Sequence, residues 1–328
     1  MKRYFNCLIL LAVFSFAGCG YKEDVKKIDL SKIEGPSDSI QLPVTLKIGI
    51  IPEQDIRKMA ERYGPLAEYL SKTLNLKVEL VYLDSYGQAC GKFINKELDA
   101  AFFGSFSYAL TRTKVGIEPV ARPDYQGTSV YRGLIIVRSD SNIRNIAGMK
   151  GKRLALVNQA TYAGYLFPLY YFRSGGINNP DSYFSKITFT GSHDKAIFAL
   201  LRNEADVACP KDLVYQRIIK DNPDLEKKFV ILFTSNAVPS NTLCVDKELD
   251  PKLKKKLKEA LLNLKKDPAA KGVLESLGGA TGFVETRDAD YRYLYETLRA
   301  LNIGLNTYLY YRRPDMGLGS APDEAESK

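Results

Sequence analysis

Short β-rich runs alternate with helix-like segments along most of this 328-residue chain, and this alternation limits its fold more than any other feature. The segment at 55–74 places Met59, Leu66, Leu70 and Leu74 at roughly helical spacing, with Gly64-Pro65 predicting a break or a helix start. Around it the sequence predicts strands at 45–51, 76–82 and 99–103 and a second helix at 86–97. These elements form one α/β series.

A second series begins near Val130. It predicts strands at 130–137, 153–157, 187–189, 206–209, 229–233 and 241–245, and helices at 162–173, 194–204, 211–220, 251–266, 268–277 and 287–301. Two such series predict two α/β lobes with mostly parallel sheets. A chain of this length is long enough for two lobes rather than a single core.

The N-terminus has the layout of a secretory signal. Lys2 and Arg3 precede an apolar run at 7–16, and the small residues Ala17 and Gly18 stand directly before Cys19. The run is too short to span a bilayer, which needs roughly 20 apolar residues. Phe-Ala-Gly-Cys resembles the bacterial lipobox, which implies cleavage after residue 18 and lipid on Cys19. A plain secretory peptide with a chance cysteine is the alternative.

Cleavage would leave 310 residues and lower the formal net charge from +9 to +7. Residues 19–44, with Lys, Asp, Ser, Gly and Pro but few large apolar groups, are predicted to form a lipidated flexible tether. Residues 308–328 are predicted to be a disordered tail. The anchored chain is therefore expected to face the periplasm or the exterior from a membrane surface.

Charge and cysteine usage exclude several function classes. The Lys-rich stretch at 252–258 fits a solvated helix face, and no basic–aromatic interleaving predicts nucleic-acid binding. Cys90, Cys209 and Cys244 form neither a disulfide framework nor a zinc set, although a Cys209–Cys244 bridge stays open. One histidine and the absence of HExxH, CxxC and glycine-rich cofactor loops predict no enzyme, metal or cofactor.

Polar and aromatic residues gather where predicted strands turn into helices. These are Tyr86, the segment 104–108, the segment 161–164 and His193. In open α/β sheets, ligands sit at the carboxyl ends of strands, where helix N-termini present free amides. The sequence therefore predicts a ligand site built from these turns.

The same turns resemble those of a known family. The motifs, in order, are DSYGQ at 84–88, ELDAAFFGSFSY at 97–108, VYRGLIIV at 130–137, GMKGKRLALVNQATYAGYLFP at 148–168, YFSKITFTGSHDKAIFALLRNEADVA at 183–208 and SNAVPSNTL at 235–243. Together they resemble the phosphate, phosphite and phosphonate substrate-binding proteins of ABC importers, the PhnD-like branch of the type II periplasmic binding fold. The resemblance covers about residues 45–300.

The resemblance implies a two-lobed α/β fold with a cleft between discontinuous lobes. Lobe one would hold 45–126 and 240–300, and lobe two 127–239. A monomer would capture a small anionic solute in the cleft and present it to an ABC permease. The implied ligand-binding residues are Tyr86, Gly104, Ser105, Tyr108, Tyr131, Thr161, Tyr162, Ala163, His193 and Asp212.

Two departures from the family pattern leave the ligand open. Where the family has a Ser-Thr-Ser-Gly turn, this chain has Thr161, Tyr162, Ala163 and Gly164, so two small hydroxyl donors are missing. At the end of the cleft where aminoalkylphosphonate binders carry acidic groups, Asn241 stands at the crossing and only Asp212 offers a carboxylate. We therefore predict that 2-aminoethylphosphonate is not bound tightly. Two further roles stay open, a sensor input to a membrane histidine kinase or chemoreceptor, and a ligand-free interaction protein.

Overall fold

Two mixed β-sheets, flanked by helices, form the part of the chain that the structure, a computed structural model, describes, namely residues 45–308. The strands of the first are β1 (Thr45–Ile50), β2 (Lys77–Tyr82), β3 (Ala100–Phe103), β4 (Glu118–Asp124), β12 (Thr242–Val245) and β13 (Gly282–Glu285). The strands of the second are β6 (Leu134–Arg138), β7 (Arg153–Leu156), β8 (Lys186–Phe189), β9 (Val207–Ala208) and β10 (Phe229–Thr234). The first sheet has the strand order β13-β4-β12-β3-β1-β2 and the second has the order β10-β6-β9-β7-β8.

The chain passes from the first sheet to the second and back again through a two-stranded ribbon. Its strands, β5 (Val130–Tyr131) and β11 (Val238–Pro239), pair antiparallel between the two sheets. The helices are α1 (Ile56–Leu74), α2 (Gln88–Ile94), α3 (Ser105–Val115), α4 (Phe167–Ser174), α5 (Pro180–Tyr183), α6 (His193–Leu201), α7 (Asp212–Asp221), α8 (Pro251–Asn263), α9 (Lys271–Ser276) and α10 (Arg292–Ala300). Within residues 45–308, no helix combines the length and the apolarity needed to cross a bilayer.

The prediction of mostly parallel sheets is wrong. Only β1 pairs parallel with its two neighbours in the first sheet, and only β7 does so in the second. The remaining pairs are antiparallel, because β12 and β13 in the first sheet and β6 in the second run opposite to the other strands of their sheets. Strand-by-strand patterning cannot detect this, because a buried strand looks apolar in either direction.

Helix α1 is continuous through Pro65, where the sequence predicted a break or a helix start. Proline removes one helical hydrogen bond and crowds the preceding turn. Here the buried face that Met59, Leu66, Leu70 and Leu74 present to the first sheet keeps the helix together. Asp55 begins it by accepting the amide of Arg57 at 3.0 Å, a standard N-cap contact.

Two further local predictions change. The run 130–137 forms two strands rather than one, because β5 leaves for the ribbon and β6 joins the second sheet. Residues 104–108, predicted as a loop, begin helix α3, whose residues 105–111 are all buried. A helix buried on every side has no amphipathic period, so its sequence gives no helical signal.

Two apolar cores stabilise the described residues. One lies between the first sheet and helices α1, α8 and α9, and the other joins residues of both sheets, such as Phe103, Ile135 and Leu156, with Phe106 of α3. Cys90, Cys209 and Cys244 are buried free thiols within these 264 described positions. Tyr308, at the end of the described chain, donates its hydroxyl to the Gln159 carbonyl at 2.7 Å. The predicted signal, Cys19, the tether and residues 309–328 lie outside the described residues.

Candidate functional site

A narrow cavity lies where the carboxyl ends of the central strands of the two sheets meet. Seven of the residues predicted from the sequence line it, namely Tyr86, Gly104, Tyr131, Thr161, Tyr162, Ala163 and His193. Glu53, Lys211 and Asn241 complete its polar wall. The cavity is small, because the volume open to the centre of a water molecule is about 10 Å³. That is room for about one water molecule. Any larger ligand therefore requires the walls to move apart.

Tyr86 brings an unused donor to this cavity. It follows β2, its side chain is buried, and within residues 45–308 its hydroxyl has no hydrogen-bond partner. Burial, followed by the negative charge of Glu53, raises the pKa of Tyr86 well above its usual value. The hydroxyl therefore keeps its proton. A buried hydroxyl without a partner is costly, so this group is suited to donate to an oxygen of a bound ligand.

His193 presents a second donor from the other sheet. Its Nδ1 accepts the backbone amide of Lys211 at 3.1 Å, which assigns the ring proton to Nε2. Burial lowers the pKa of His193 to about 3, so the ring is neutral at physiological pH. The edge of one ring faces the other between His193 and Tyr86, with centroids 6.1 Å apart.

The turn after β7 contributes backbone amides rather than hydroxyls. Thr161 donates its hydroxyl to the Asn158 carbonyl at 2.6 Å, so that proton serves the turn itself. Tyr162–Leu166 forms a π-helical turn that runs directly into α4, and the first amides of such a helix have no intrahelical acceptor. Gly164 is required here, because a Cβ at this position would lie 2.4 Å from the Cβ of Val157. The turn therefore packs tightly against its strand.

Tyr162 and Tyr131 form an aromatic wall. Their rings meet edge to face with centroids 6.2 Å apart, and the Tyr162 hydroxyl donates to the Asn236 carbonyl at 3.4 Å. The Lys211 ammonium lies 4.2 Å from the centre of the Tyr131 ring, within the range of a cation–π contact. Where the family pattern has a small hydroxyl residue, Tyr162 thus fills space and turns its hydroxyl towards the chain.

Three predicted residues lie outside the cavity. Ser105 donates its hydroxyl to the Pro239 carbonyl at 2.8 Å, which ties α3 to the ribbon. Tyr108 is a buried residue of α3, and it donates its hydroxyl to Asp288 at 2.9 Å and stacks on Tyr291. Asp212 accepts the Leu213 amide at 2.7 Å in the first turn of α7. Because α3 begins immediately after β3, the side chains of Ser105 and Tyr108 point into the fold rather than into the cavity.

An ion pair that the sequence did not predict crosses the cavity. Glu53 follows β1 in the first sheet, Lys211 follows β9 in the second, and Lys211 Nζ lies 2.6 Å from Glu53 Oε1. Both side chains are almost fully buried, with exposed fractions of 3% for Lys211 and 4% for Glu53. Lys211 also donates to the Asn241 side-chain oxygen at 3.0 Å. The pair therefore joins the two halves of the cleft.

Glu53 faces more than one cation. The guanidinium groups of Arg62 and Arg217 approach its other carboxylate oxygen to 3.6 and 3.7 Å. Burial alone raises the pKa of Glu53, but Lys211, Arg217 and Arg62 outweigh burial and hold the pKa well below its usual range. Glu53 is therefore ionised under all ordinary conditions.

A charged residue directly after an apolar strand could have drawn attention to both partners. Glu53 stands three positions after β1 and Lys211 three positions after β9. The partners are separated by 158 positions, however, and nothing in the sequence indicates which charge meets which.

Comparison with known proteins identifies the family of this chain. Residues 48–291 match the family described as the periplasmic substrate-binding protein of phosphonate ABC transporters. A probable ABC transporter phosphite-binding protein of Prochlorococcus marinus is 25% identical over 79% of this chain and 91% of its own length. The phosphonates-binding periplasmic protein of Escherichia coli is 27% identical over 76% of this chain and 75% of its own.

Solved structures show the same fold. A binding-protein component of a phosphonate ABC transporter from Pseudomonas aeruginosa has a TM-score of 0.74 at 19% identity, over 79% of this chain and 87% of its own. The Prochlorococcus marinus protein in complex with methylphosphonate has a TM-score of 0.71 at 23% identity, over 79% of this chain and 98% of its own. The two-lobed α/β fold expected from the sequence is confirmed. This chain belongs to the periplasmic substrate-binding proteins of phosphonate ABC transporters, a family of transport proteins rather than of enzymes.

Proposed function

We propose that the cleft closes on the tetrahedral oxyanion of phosphate, phosphite or a phosphonate and that the closed protein presents it to an ABC permease. The observation that carries this proposal is the unpartnered Tyr86 hydroxyl, buried opposite the neutral His193 ring. Two uncharged donors, one from each sheet, suit an anion that must later be released. The methylphosphonate complex of a relative supports the same ligand class.

In this proposal the backbone supplies most of the contacts of the altered turn. The first amides of the 162–166 turn, at the positive end of the helix dipole, would bind the oxyanion. Tyr131, Tyr162 and Ala163 would shape the wall, and Gly104 would keep α3 close to the ligand. Ser105, Tyr108 and Asp212 would act indirectly, through α3 and α7.

The test is ligand-induced thermal stabilisation of the purified full chain by phosphate, phosphite, methylphosphonate and sulfate. A ligand at about 100 times its Kd adds about 2.7 kcal/mol of stability. In a domain of this size that raises Tm by about 5–10 °C. We expect at least one phosphorus oxyanion to produce this shift and the His193→Ala variant to lose it.

Tyr69→Phe is the matched control. It removes a partly buried hydrogen bond to Asp267 outside the cavity, so it lowers the baseline Tm slightly while the ligand-induced shift persists. A wild-type protein whose Tm no oxyanion changes would contradict the proposed function. An unchanged shift in His193→Ala would remove His193 from the site.

The lipid anchor is the second part of the proposal. Residues 16–19 support cleavage before Cys19 and lipid on its thiol, and two or more acyl chains give stable attachment to a bilayer. A tether of about 25 residues would hold the monomer near its permease at high effective concentration. Mass spectrometry of the N-terminal peptide tests this, and Cys19→Ser is expected to move the protein out of the membrane fraction. A wild-type peptide without lipid would refute it.

A further inference from the structure

A second cavity lies directly behind the Glu53–Lys211 pair. It shares Glu53, Lys211 and Asn241 with the first cavity and is otherwise lined by Arg62, Arg217 and by aromatic and apolar residues. The two cavities therefore adjoin at these three residues. The separating lysine has a flexible stem, so a ligand in the first cavity can extend into the second once Lys211 moves.

The charge of this second cavity is unbalanced. Lys211, Arg62 and Arg217 face one carboxylate, Glu53, and within the described part of the chain none of the three has another ion-pair partner. Asp212 follows Lys211 directly in the chain, but its carboxylate accepts the Leu213 amide rather than a hydrogen bond from the Lys211 ammonium. The three cations thus share one directly paired carboxylate, while Asp212 adds a longer-range attraction to Lys211, and such an arrangement is costly to fold.

Arg217 carries buried donor groups that lack an acceptor in the described part of the chain. Its Nε and Nη2 atoms are buried and, among the residues that the structure describes, they make no hydrogen bond and only Glu53, at 3.7 Å, is near enough to form an ion pair. Arg62, by contrast, donates to the Gln54 side chain. A planar guanidinium with free, buried donors matches the geometry of a carboxylate or phosphoryl group.

We infer that the second cavity is a subsite for a further anionic group of the ligand, so that the favoured solutes carry a carboxylate or second phosphoryl group beside the oxyanion head. This inference rests on the proposed function, since it needs the head to occupy the first cavity. The ligand's second anion would pair with Arg217 and share Lys211 and Arg62 with Glu53. An ammonium group in the same place would face these cations and be rejected.

Three phosphonates that differ at one end test this by calorimetry with the full chain at fixed salt. Ethylphosphonate ends in a methyl group, 2-carboxyethylphosphonate carries a carboxylate on the same two carbons, and 2-aminoethylphosphonate carries an ammonium. We expect the carboxylate to bind at least about tenfold more tightly than ethylphosphonate, as one charge-assisted hydrogen bond predicts. The ammonium is expected to bind more weakly than either.

Arg217→Gln is expected to abolish the advantage of the carboxylate while leaving the affinity for ethylphosphonate within about twofold of wild type. Arg217→Lys, which keeps the charge but not the planar donors, should restore part of it. Lys220→Gln is the matched control, because it removes a positive charge from an exposed position of the same helix, α7. It should leave the order of the three affinities unchanged.

The outcomes separate the two proposals. Ethylphosphonate binding with no gain from the carboxylate, or a gain that survives Arg217→Gln, overturns the subsite and leaves the proposed function standing. Failure of all three phosphonates and of inorganic phosphate to bind overturns both. A carboxylate advantage that disappears only in Arg217→Gln supports the subsite.

Discussion

Replacing Glu53 by glutamine tests the central electrostatic feature of the cleft. The substitution keeps the shape of the side chain and one acceptor oxygen for Lys211, but it removes the charge that three cations face. At an effective dielectric of about 20, charges 2.6 Å apart attract by about 6 kcal/mol, of which burial cancels a large part. Breaking a buried pair from one side costs about 3–5 kcal/mol.

Glutamine keeps a hydrogen bond, so we take the lower end and expect a loss of about 3 kcal/mol at pH 7. For a domain of this size that lowers Tm by about 10 °C. Circular dichroism of thermal unfolding, without added ligand, measures this change. Urea unfolding gives the free energy independently.

Glu97→Gln is the control, because it breaks an ion pair of the same length at an exposed position. Lys92 and Glu97 also lie 2.6 Å apart, but their side chains are 24% and 47% exposed. Solvent screening makes such surface pairs weak, so this variant should unfold near the wild-type temperature. Equal losses in Glu53→Gln and Glu97→Gln would refute the argument that burial determines the strength of the Glu53 pair.

The pH dependence supplies a second check on the same variant. The folded pKa of Glu53 lies below its unfolded value, so its contribution is complete above about pH 4.5 and is lost as the pH falls towards the folded pKa. The difference in stability between wild type and Glu53→Gln should therefore stay constant from pH 7 to about pH 5 and narrow below about pH 4. A difference that grows on acidification would contradict this sign.

Three further outcomes are expected. Tyr86→Phe removes a buried hydroxyl that has no partner among the described residues, so the Tm without ligand should be unchanged or slightly higher. Calorimetry should show oxyanion affinity lowered by about tenfold or more. Unchanged affinity would remove Tyr86 from the site. Gly164→Ala places a Cβ 2.4 Å from Val157, and urea unfolding should show a loss of about 1–3 kcal/mol together with weaker oxyanion binding. A variant of wild-type stability would contradict that packing. Because burial lowers the pKa of His193 to about 3, its charging opposes folding below its unfolded pKa of about 6.5, and stability should fall with acidification by up to about 1.4 kcal/mol per pH unit. His193→Gln should lack that component, and an identical pH profile in the variant would contradict it.

The sequence predicts the site where local rules apply. Thr161 and His193 could be brought together in advance, because they follow the neighbouring strands β7 and β8, whose carboxyl ends share one edge of the second sheet, and Tyr86 faces them from the first sheet. Ser105 and Tyr108 were placed less well, since the fully buried helix α3 has no amphipathic period to announce its start. The antiparallel strands were missed for a similar reason.

The charged part of the cleft could not be predicted in the same way. Lys211 and Glu53 come from different sheets and meet only because the chain crosses between the sheets twice. Their partners lie elsewhere again, Arg62 on α1 and Arg217 on α7. Composition indicates a surplus of positive charge but not where it is buried, and the obvious Lys-rich stretch at 252–258 is part of the solvated helix α8.

In the proposed subsite, the Glu53 carboxylate would compete with the ligand for the same cations. Without ligand, Glu53 alone pairs with Lys211, Arg62 and Arg217. With a second ligand anion bound, two anionic groups would share these three cations. Affinity then depends on the difference between these arrangements rather than on the number of new contacts. A ligand with a neutral second end gains nothing from the exchange, and one with an ammonium end loses by it. In this proposal the excess of positive charge would select solutes by the group at their far end, while Tyr86 and His193 would bind the oxyanion head.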